Sequence, residues 1–233
     1  KLRMFAFAPL TFLDKFTHNV AIKVAPVSPM LSKLIVDGAY LRAIMGSISL
    51  LFPLATITLA SISVSANHGQ ILTPPWQLFL AMAVIGSFEA FAGFVGAVVV
   101  IAGTFLTASQ TPVAGDYRMM FAVLFIMMGP ALVMTAFRAL RKDVEPGFTG
   151  VWERCSDVVF APLMAGISVS TAVTVLPALA GLTLPVANHV ADFGVFVAVA
   201  AALRVLLEEL AAKGFPERLN AINPSSLPDS GGF

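Results

Sequence analysis

Two charged residues stand inside otherwise apolar stretches of this sequence, and they are the first candidates for chemistry. Glu89 is the only Asp, Glu, Lys or Arg between Ala43 and Gly115, and Arg204 lies in the last long apolar stretch. An ionisable group in an apolar layer is costly and by default indicates a function, such as a proton relay, a substrate contact or a buried ion pair. Structural alternatives exist for both: Glu89 could hydrogen-bond across a helix interface, and Arg204 could extend its head group to a polar boundary. Glu89 and Arg204 are therefore the candidates for substrate binding.

Other residue types that form catalytic or metal sites lack a suitable spacing. The three histidines are far apart, at His18, His68 and His189, and no HExxH motif is present. The single Cys155 excludes an intramolecular disulfide and a cysteine-built metal site. Ser168 with His189 as its base would suggest an intramembrane protease, but a Ser in an apolar helix usually hydrogen-bonds the preceding turn. We predict no catalytic residue, no metal and no cofactor, and we expect that the chain alone is not an enzyme.

Small residues at helical spacing accompany Glu89. They form one ridge, Gly86, Ala90, Gly93 and Ala97. Such a ridge lets two helices approach closely. The spacing predicts helix packing at these four positions, and it favours a homodimer.

The elements that position these residues follow from the composition. Of the 233 residues, 58% are hydrophobic and only 12% are charged, whereas an average soluble domain is about 25% charged. A bilayer-spanning helix needs roughly 20 apolar residues, and the uncharged runs are long enough to contain several. A β-barrel would show short segments of alternating polarity instead. The net charge of +1 comes without a basic stripe, which argues against nucleic acid as a partner.

We therefore predict an all-α, polytopic transmembrane bundle with about five membrane helices and an N-terminal amphipathic segment. The predicted spans are 41–64, 78–106, 119–137, 158–182 and 193–213. The second of these is longer than a perpendicular crossing requires. It is either strongly tilted or broken near Gly93 and Gly96.

Three regions follow from this assignment. Residues 1–40 alternate Lys and Phe, which is typical of an amphipathic segment on a lipid surface. Residues 41–213 are the transmembrane helical domain, with Trp76 as an interfacial anchor. Residues 214–233 end in a stretch rich in Pro, Ser and Gly, which predicts an extended tail.

The distribution of Lys and Arg raises a question of orientation. The positive-inside rule places the N-terminal segment, the loop after the third span and the C-terminal end in the cytoplasm. Five simple crossings cannot satisfy all three. Either 78–106 turns back as a re-entrant hairpin, or the loop at 138–157, whose charges nearly cancel, lies outside.

Several short segments resemble a known permease family in the same order along the chain. Tyr40-Leu41-Arg42-Ala43-Ile44, with Pro53 nine residues later, resembles the start of the first membrane helix of enzyme IIC, in the lactose/cellobiose branch of the bacterial sugar phosphotransferase system. Phe12-Leu13-Asp14-Lys15 resembles the family's preceding segment. Gly194 to Val199 is similar to a later helix start, which is followed by a charged helix end, Glu208 to Arg218, and a Pro-containing tail.

The resemblance implies a permease scaffold in a cell membrane, and specifically a bacterial inner membrane. In that family the second half of the chain supplies the sugar site, and the first half forms the dimerisation scaffold. This chain corresponds only to the first half, so no sugar-binding residue carries over to a numbered position. We expect membrane lipid, a second copy and a chain supplying the transport half as partners. The alternatives are a membrane anchor or sensory input module, and an unrelated small channel or secretion-complex subunit.

Overall fold

The structure is a computed structural model, and it describes residues 11–28, 32, 35–66, 75–108, 114–139, 148–180 and 185–222. The α-helices are α1 (Thr11–Val24), α2 (Ala39–Met45), α3 (Leu51–Ala66), α4 (Trp76–Phe88), α5 (Ala90–Thr107), α6 (Ala114–Ala139), α7 (Phe148–Ala180), α8 (Val190–Gly214) and α9 (Pro216–Ile222). Short 3-10 turns, Gly46–Leu50 and Pro185–His189, precede α3 and α8. No strand occurs in the described part of the chain.

Among the residues that the structure describes, five helical segments are long and apolar enough to cross a membrane. They are Ala39–Ala66, Ala90–Thr107, Gly115–Phe137, Val158–Leu179 and Pro185–Gly214. The prediction of a polytopic bundle of α-helices with about five membrane helices is confirmed. The chain is an integral membrane protein by the length and composition of these helices.

The long second stretch is broken, and the break lies at Glu89. This residue has an extended backbone, φ −144° and ψ 115°, between the end of α4 and the start of α5. The predicted break near Gly93 and Gly96 is wrong in position, because both glycines lie inside α5. At 1.5 Å per residue, the 13-residue α4 is about 20 Å long, which is shorter than the roughly 30 Å hydrocarbon core. The corner at Glu89 therefore lies within the depth of the bundle.

Helices α3 to α8 alternate in direction, so that α4 and α5 form a hairpin. The ring of Phe105 in α5 contacts the ring of Tyr117 near the start of α6 in a tilted arrangement, and Trp76 of α4 stacks on His189, which directly precedes α8. These contacts mark one end of the bundle, which we call the far end. The opposite end, called the cap end, holds the last turns of α6 and α8 and the first turn of α7. The hairpin is the extra reversal that puts the last turn of α6 and the first turn of α7 at the same end as both terminal segments. The predicted 138–157 loop is wrong at both flanks, because 138–139 belong to α6 and 148–157 belong to α7; residues 140–147 lie outside the described residues.

The small-residue ridge packs inside the chain. Gly86 and Gly93 face each other across the hairpin, and a Cβ on either one would collide with the carbonyl oxygen of Met127 in α6. Ala90 and Ala97 are buried as well. The ridge thus joins α4, α5 and α6 of one chain, and a homodimer would require a different surface.

The cap end is closed by three short helices, α1, α2 and α9. Helix α2 packs against α8 and α9, and α1 packs against α9. Lys15, Phe16, Ile22 and Lys23 of α1 are exposed, and the surface position of α1 on lipid stays a prediction. The expected extended tail at 214–233 is wrong for its first part, because 216–222 is helical; residues 223–233 lie outside the described residues.

Candidate functional site

The corner at Glu89 exposes backbone groups that a continuous helix would pair. A helix end leaves N–H or C=O groups without an intrahelical partner, and inside a bilayer each of these must be satisfied by other protein groups. Here the carbonyls of Ser87 and Phe88 close α4, and the amide of Ala90 opens α5. Three side chains from two other segments, residues 37–40 and α8, bind these groups, and together they form the candidate site.

Asp37 and Arg204 form the centre of the site. The Ala90 N–H donates to Asp37 Oδ2 at 2.8 Å. Arg204 Nη1 donates to the same oxygen at 3.2 Å, and Arg204 Nη2 donates to Asp37 Oδ1. Arg204 is 1% exposed, so this ion pair lies in the interior of the bundle. An interior ion pair with its hydrogen bonds satisfied is the arrangement that burial of charge requires.

The carbonyls at the end of α4 are bound from two sides. Arg204 Nη1 donates to the Ser87 carbonyl at 3.1 Å, and the Tyr40 hydroxyl donates to the Phe88 carbonyl at 2.5 Å. The Arg204 guanidinium also lies 5.7 Å from the centre of the Tyr40 ring, within cation–π range. Arg204 is held further by Glu208 on its own helix, with Nε 2.9 Å from Oε1.

The charges match the dipoles of the two broken helices. The C-terminus of α4 carries partial negative charge and meets Arg204, while the N-terminus of α5 carries partial positive charge and meets Asp37. Each member of the ion pair therefore stabilises one helix end as well as the other member. We call the group Asp37, Tyr40 and Arg204, with the corner backbone that it binds, the corner lock.

Glu89 itself is bound less well than its neighbours. It is 4% exposed, and its Oε1 lies 3.8 Å from Arg42 Nη1, which is beyond hydrogen-bond distance. Its Oε2 has no hydrogen-bond partner among the described residues. Gly38, with φ +79°, passes so close that a Cβ there would lie 2.7 Å from Glu89 Oε1. The carboxyl is thus enclosed by the chain but receives little compensation for a negative charge.

Arg42 links Glu89 to the cap end. Its Nε lies 3.1 Å from Oδ1 of Asp14 in α1, and the Asp14 side chain is 19% exposed. Burial raises the pKa of the Asp14 carboxyl, and the positive charges of Arg42 and Arg218 oppose that rise only in part. Asp14, Arg42 and Glu89 therefore form a row of ionisable groups from the bundle boundary to its interior.

The structure brings the two sequence candidates together. Glu89 and Arg204 lie at the same corner, although they are 115 positions apart in the sequence. The extension of Arg204 to the headgroups is wrong, because Asp37 and Ser87 hold the guanidinium inside. Sequence reasoning missed Asp37, Tyr40 and Arg42. The available signal was that Asp37 and Arg42 flank the start of the first apolar run.

The remaining candidates do not converge. The Ser168 hydroxyl donates to the Ala165 carbonyl one turn earlier, while His189 Nδ1 lies 2.8 Å from Asp192 Oδ2 and its ring stacks on Trp76 at 3.6 Å. Ser168 and His189 thus have separate partners. No cluster of three His, Cys, Asp or Glu side chains suited to a metal ion occurs in the described residues. His68 and the side chain of Cys155 lie outside the described residues.

Comparison with family models, with curated proteins and with solved structures found no match. The likeness to enzyme IIC therefore rests on the short segments given above.

Proposed function

We propose that the chain is a membrane-embedded scaffold subunit that does not carry a solute across the membrane by itself. The observation that supports this most is the corner lock. In transporters built on broken helices, the two helix termini at the break are directed towards the substrate or towards coupling ions. Here the Ala90 amide and the carbonyls of Ser87 and Phe88 are bound by side chains of the same chain.

A finer form of this proposal follows from the resemblance to enzyme IIC. The chain then acts as the dimerisation half of a sugar permease in a bacterial inner membrane, and another chain supplies the sugar site. The buried position of Gly86 and Gly93 means that the contact between two copies uses a different face of the bundle. Exposed apolar side chains such as Phe121, 75% exposed, and Phe160, 62% exposed, are available for it.

Uptake into reconstituted liposomes tests the scaffold proposal. Vesicles that hold only this chain are expected to show no saturable uptake of labelled lactose, cellobiose or chitobiose above empty vesicles. Saturable uptake that Glu89→Gln abolishes would contradict the proposal and make Glu89 part of a substrate site. Glu209→Gln is the matched control, because Glu209 pairs with Lys213 on the exposed end of α8.

Purification with native partners tests the finer form. Mass spectrometry of the complex, isolated in mild detergent, is expected to show two copies of this chain together with a permease chain. A complex with a signalling protein would favour the anchor or sensory alternative. A complex with secretion or channel subunits would favour the third alternative.

A further inference from the structure

The Glu89 carboxyl is poorly bound by the corner lock. Asp37 receives three hydrogen bonds through its two oxygens, from Ala90 and from Arg204. Glu89 receives one distant charge, Arg42 Nη1 at 3.8 Å, and its Oε2 has no hydrogen-bond partner among the described residues. Both carboxyls are almost fully buried. Burial of an ionised carboxylate without such partners is costly, whereas a neutral carboxylic acid is far cheaper to bury.

The charges around the corner also favour a neutral Glu89 carboxyl. Arg204 already serves two carboxylates, Asp37 and Glu208. Arg42 lies closer to Asp14, at 3.1 Å, than to Glu89. The charged and titratable groups around Glu89 are Asp37, Tyr40 and Arg42 beside or in α2, Asp14 in α1, Arg204 and Glu208 in α8, and Arg218 in α9 beside Asp14. Arg204 is bound to other carboxylates and Arg42 lies closer to Asp14, so a Glu89 charge would be compensated only weakly.

We propose that Glu89 is a proton-binding site inside the bundle, occupied at neutral pH. The proton is taken from a hydronium ion of the aqueous phase at the cap end, where Asp14 is partly exposed, and a water molecule remains behind. The proton forms an O–H bond on the Glu89 carboxyl, which becomes a neutral acid. This site is independent of the scaffold proposal, because a bound proton requires no transported solute.

Infrared spectroscopy tests the proposal on the full chain in detergent, since a protonated carboxylic acid has a C=O stretch separate from that of a carboxylate. At neutral pH the wild-type chain is expected to show an acid band that Glu89→Gln removes and Glu209→Gln retains. Absence of the band in the wild type, or its survival in Glu89→Gln, would overturn the proposal.

Labelling keeps the test decisive if Glu89→Gln fails to fold. In wild-type protein made with 13C-labelled glutamate, the acid band is expected to shift to lower frequency and to persist in Glu208→Gln. A band that does not shift, or that Glu208→Gln removes, assigns the proton to another group and overturns the proposal.

Two further variants are expected to shift the pH at which the acid band disappears in opposite directions. Arg42→Gln removes the nearest positive charge, and the band is expected to persist to a pH about 1–3 units higher, as for loss of an opposite charge within 4–6 Å. Asp14→Asn removes a negative charge and frees Arg42 for Glu89, so the band is expected to disappear at a lower pH. Shifts of the same sign, or none, would contradict the assignment to Glu89.

Discussion

The ion pair between Asp37 and Arg204 makes a quantitative prediction about stability. Both side chains are buried, and removal of Arg204 leaves Asp37 as an uncompensated interior charge, which costs about 3–5 kcal/mol. Arg204→Met is expected to destabilise the bundle by that amount. Asp37→Leu is expected to cost a similar amount: the Ala90 amide loses its acceptor, which costs about 1–3 kcal/mol, but Glu208 still compensates part of the Arg204 charge.

The double variant separates the pair from the rest of the site. Asp37→Leu/Arg204→Met removes both charges, so no unpaired member of this ion pair remains in the interior. Its cost is therefore expected to be at least about 3 kcal/mol smaller than the sum of the two single costs. Asp37→Asn is the conservative variant: its amide oxygen still accepts from Ala90, so its cost is expected at the lower end of the range.

The assay is reversible unfolding in mixed micelles, followed by loss of helical circular dichroism as denaturing detergent is added. The matched control is the exposed pair Glu209 and Lys213, 3.3 Å apart, for which neutral variants are expected to cost only about 0.2–1 kcal/mol. Single costs below 1 kcal/mol at Asp37 and Arg204, or costs that simply add, would refute the reasoning that the pair is a buried and coupled unit.

Two further predictions concern glycines. Gly93→Ala is expected to destabilise the bundle by about 1–3 kcal/mol in the same unfolding assay, because its Cβ would collide with the Met127 carbonyl, while Gly214→Ala meets no atom within 4 Å and is expected to be neutral or slightly stabilising; equal effects at the two positions would contradict the close packing. Gly38→Ala is expected to cost about 1–3 kcal/mol, since φ is +79° and the new Cβ would lie 2.7 Å from Glu89, and an unchanged unfolding midpoint would contradict that backbone geometry.

The sequence predicted the helices because the membrane requires them. In a bilayer, the backbone N–H and C=O groups of an uncharged run such as 158–180 are satisfied when the run is a helix. Composition alone therefore predicts the secondary structure of these runs. The break at Glu89 could not be predicted in the same way. Glu is a good helix former, and neither Gly nor Pro stands at the break. The break exists because Asp37 and Arg204, distant in sequence, bind the freed backbone groups, and this tertiary contact outweighs the local preference.

Only part of the candidate site could be predicted from the sequence. Glu89 and Arg204 were found because a charge within an apolar run is conspicuous. Asp37 was missed because it precedes the first apolar run, where a charge is expected to face solvent or headgroups. Its inward position depends on Gly38, whose left-handed backbone turns the chain into α2 beside the corner. The sequence around Gly38 does not by itself predict that this turn directs Asp37 inward, because the partner of Asp37, Arg204, is distant in the sequence.

The most direct test of the corner lock is hydrogen–deuterium exchange at the Ala90 amide, observed by NMR of protein labelled with 15N-alanine in detergent. If the chain's own side chains close the break, this amide exchanges as slowly as those of buried alanines inside α5, such as Ala97. Asp37→Leu is then expected to speed exchange at Ala90 by about tenfold or more beyond any change at Ala97, as loss of about 1.4 kcal/mol of local protection implies. Rapid exchange at Ala90 in the wild-type chain, or exchange that Asp37→Leu leaves unchanged, would contradict a corner closed by Asp37.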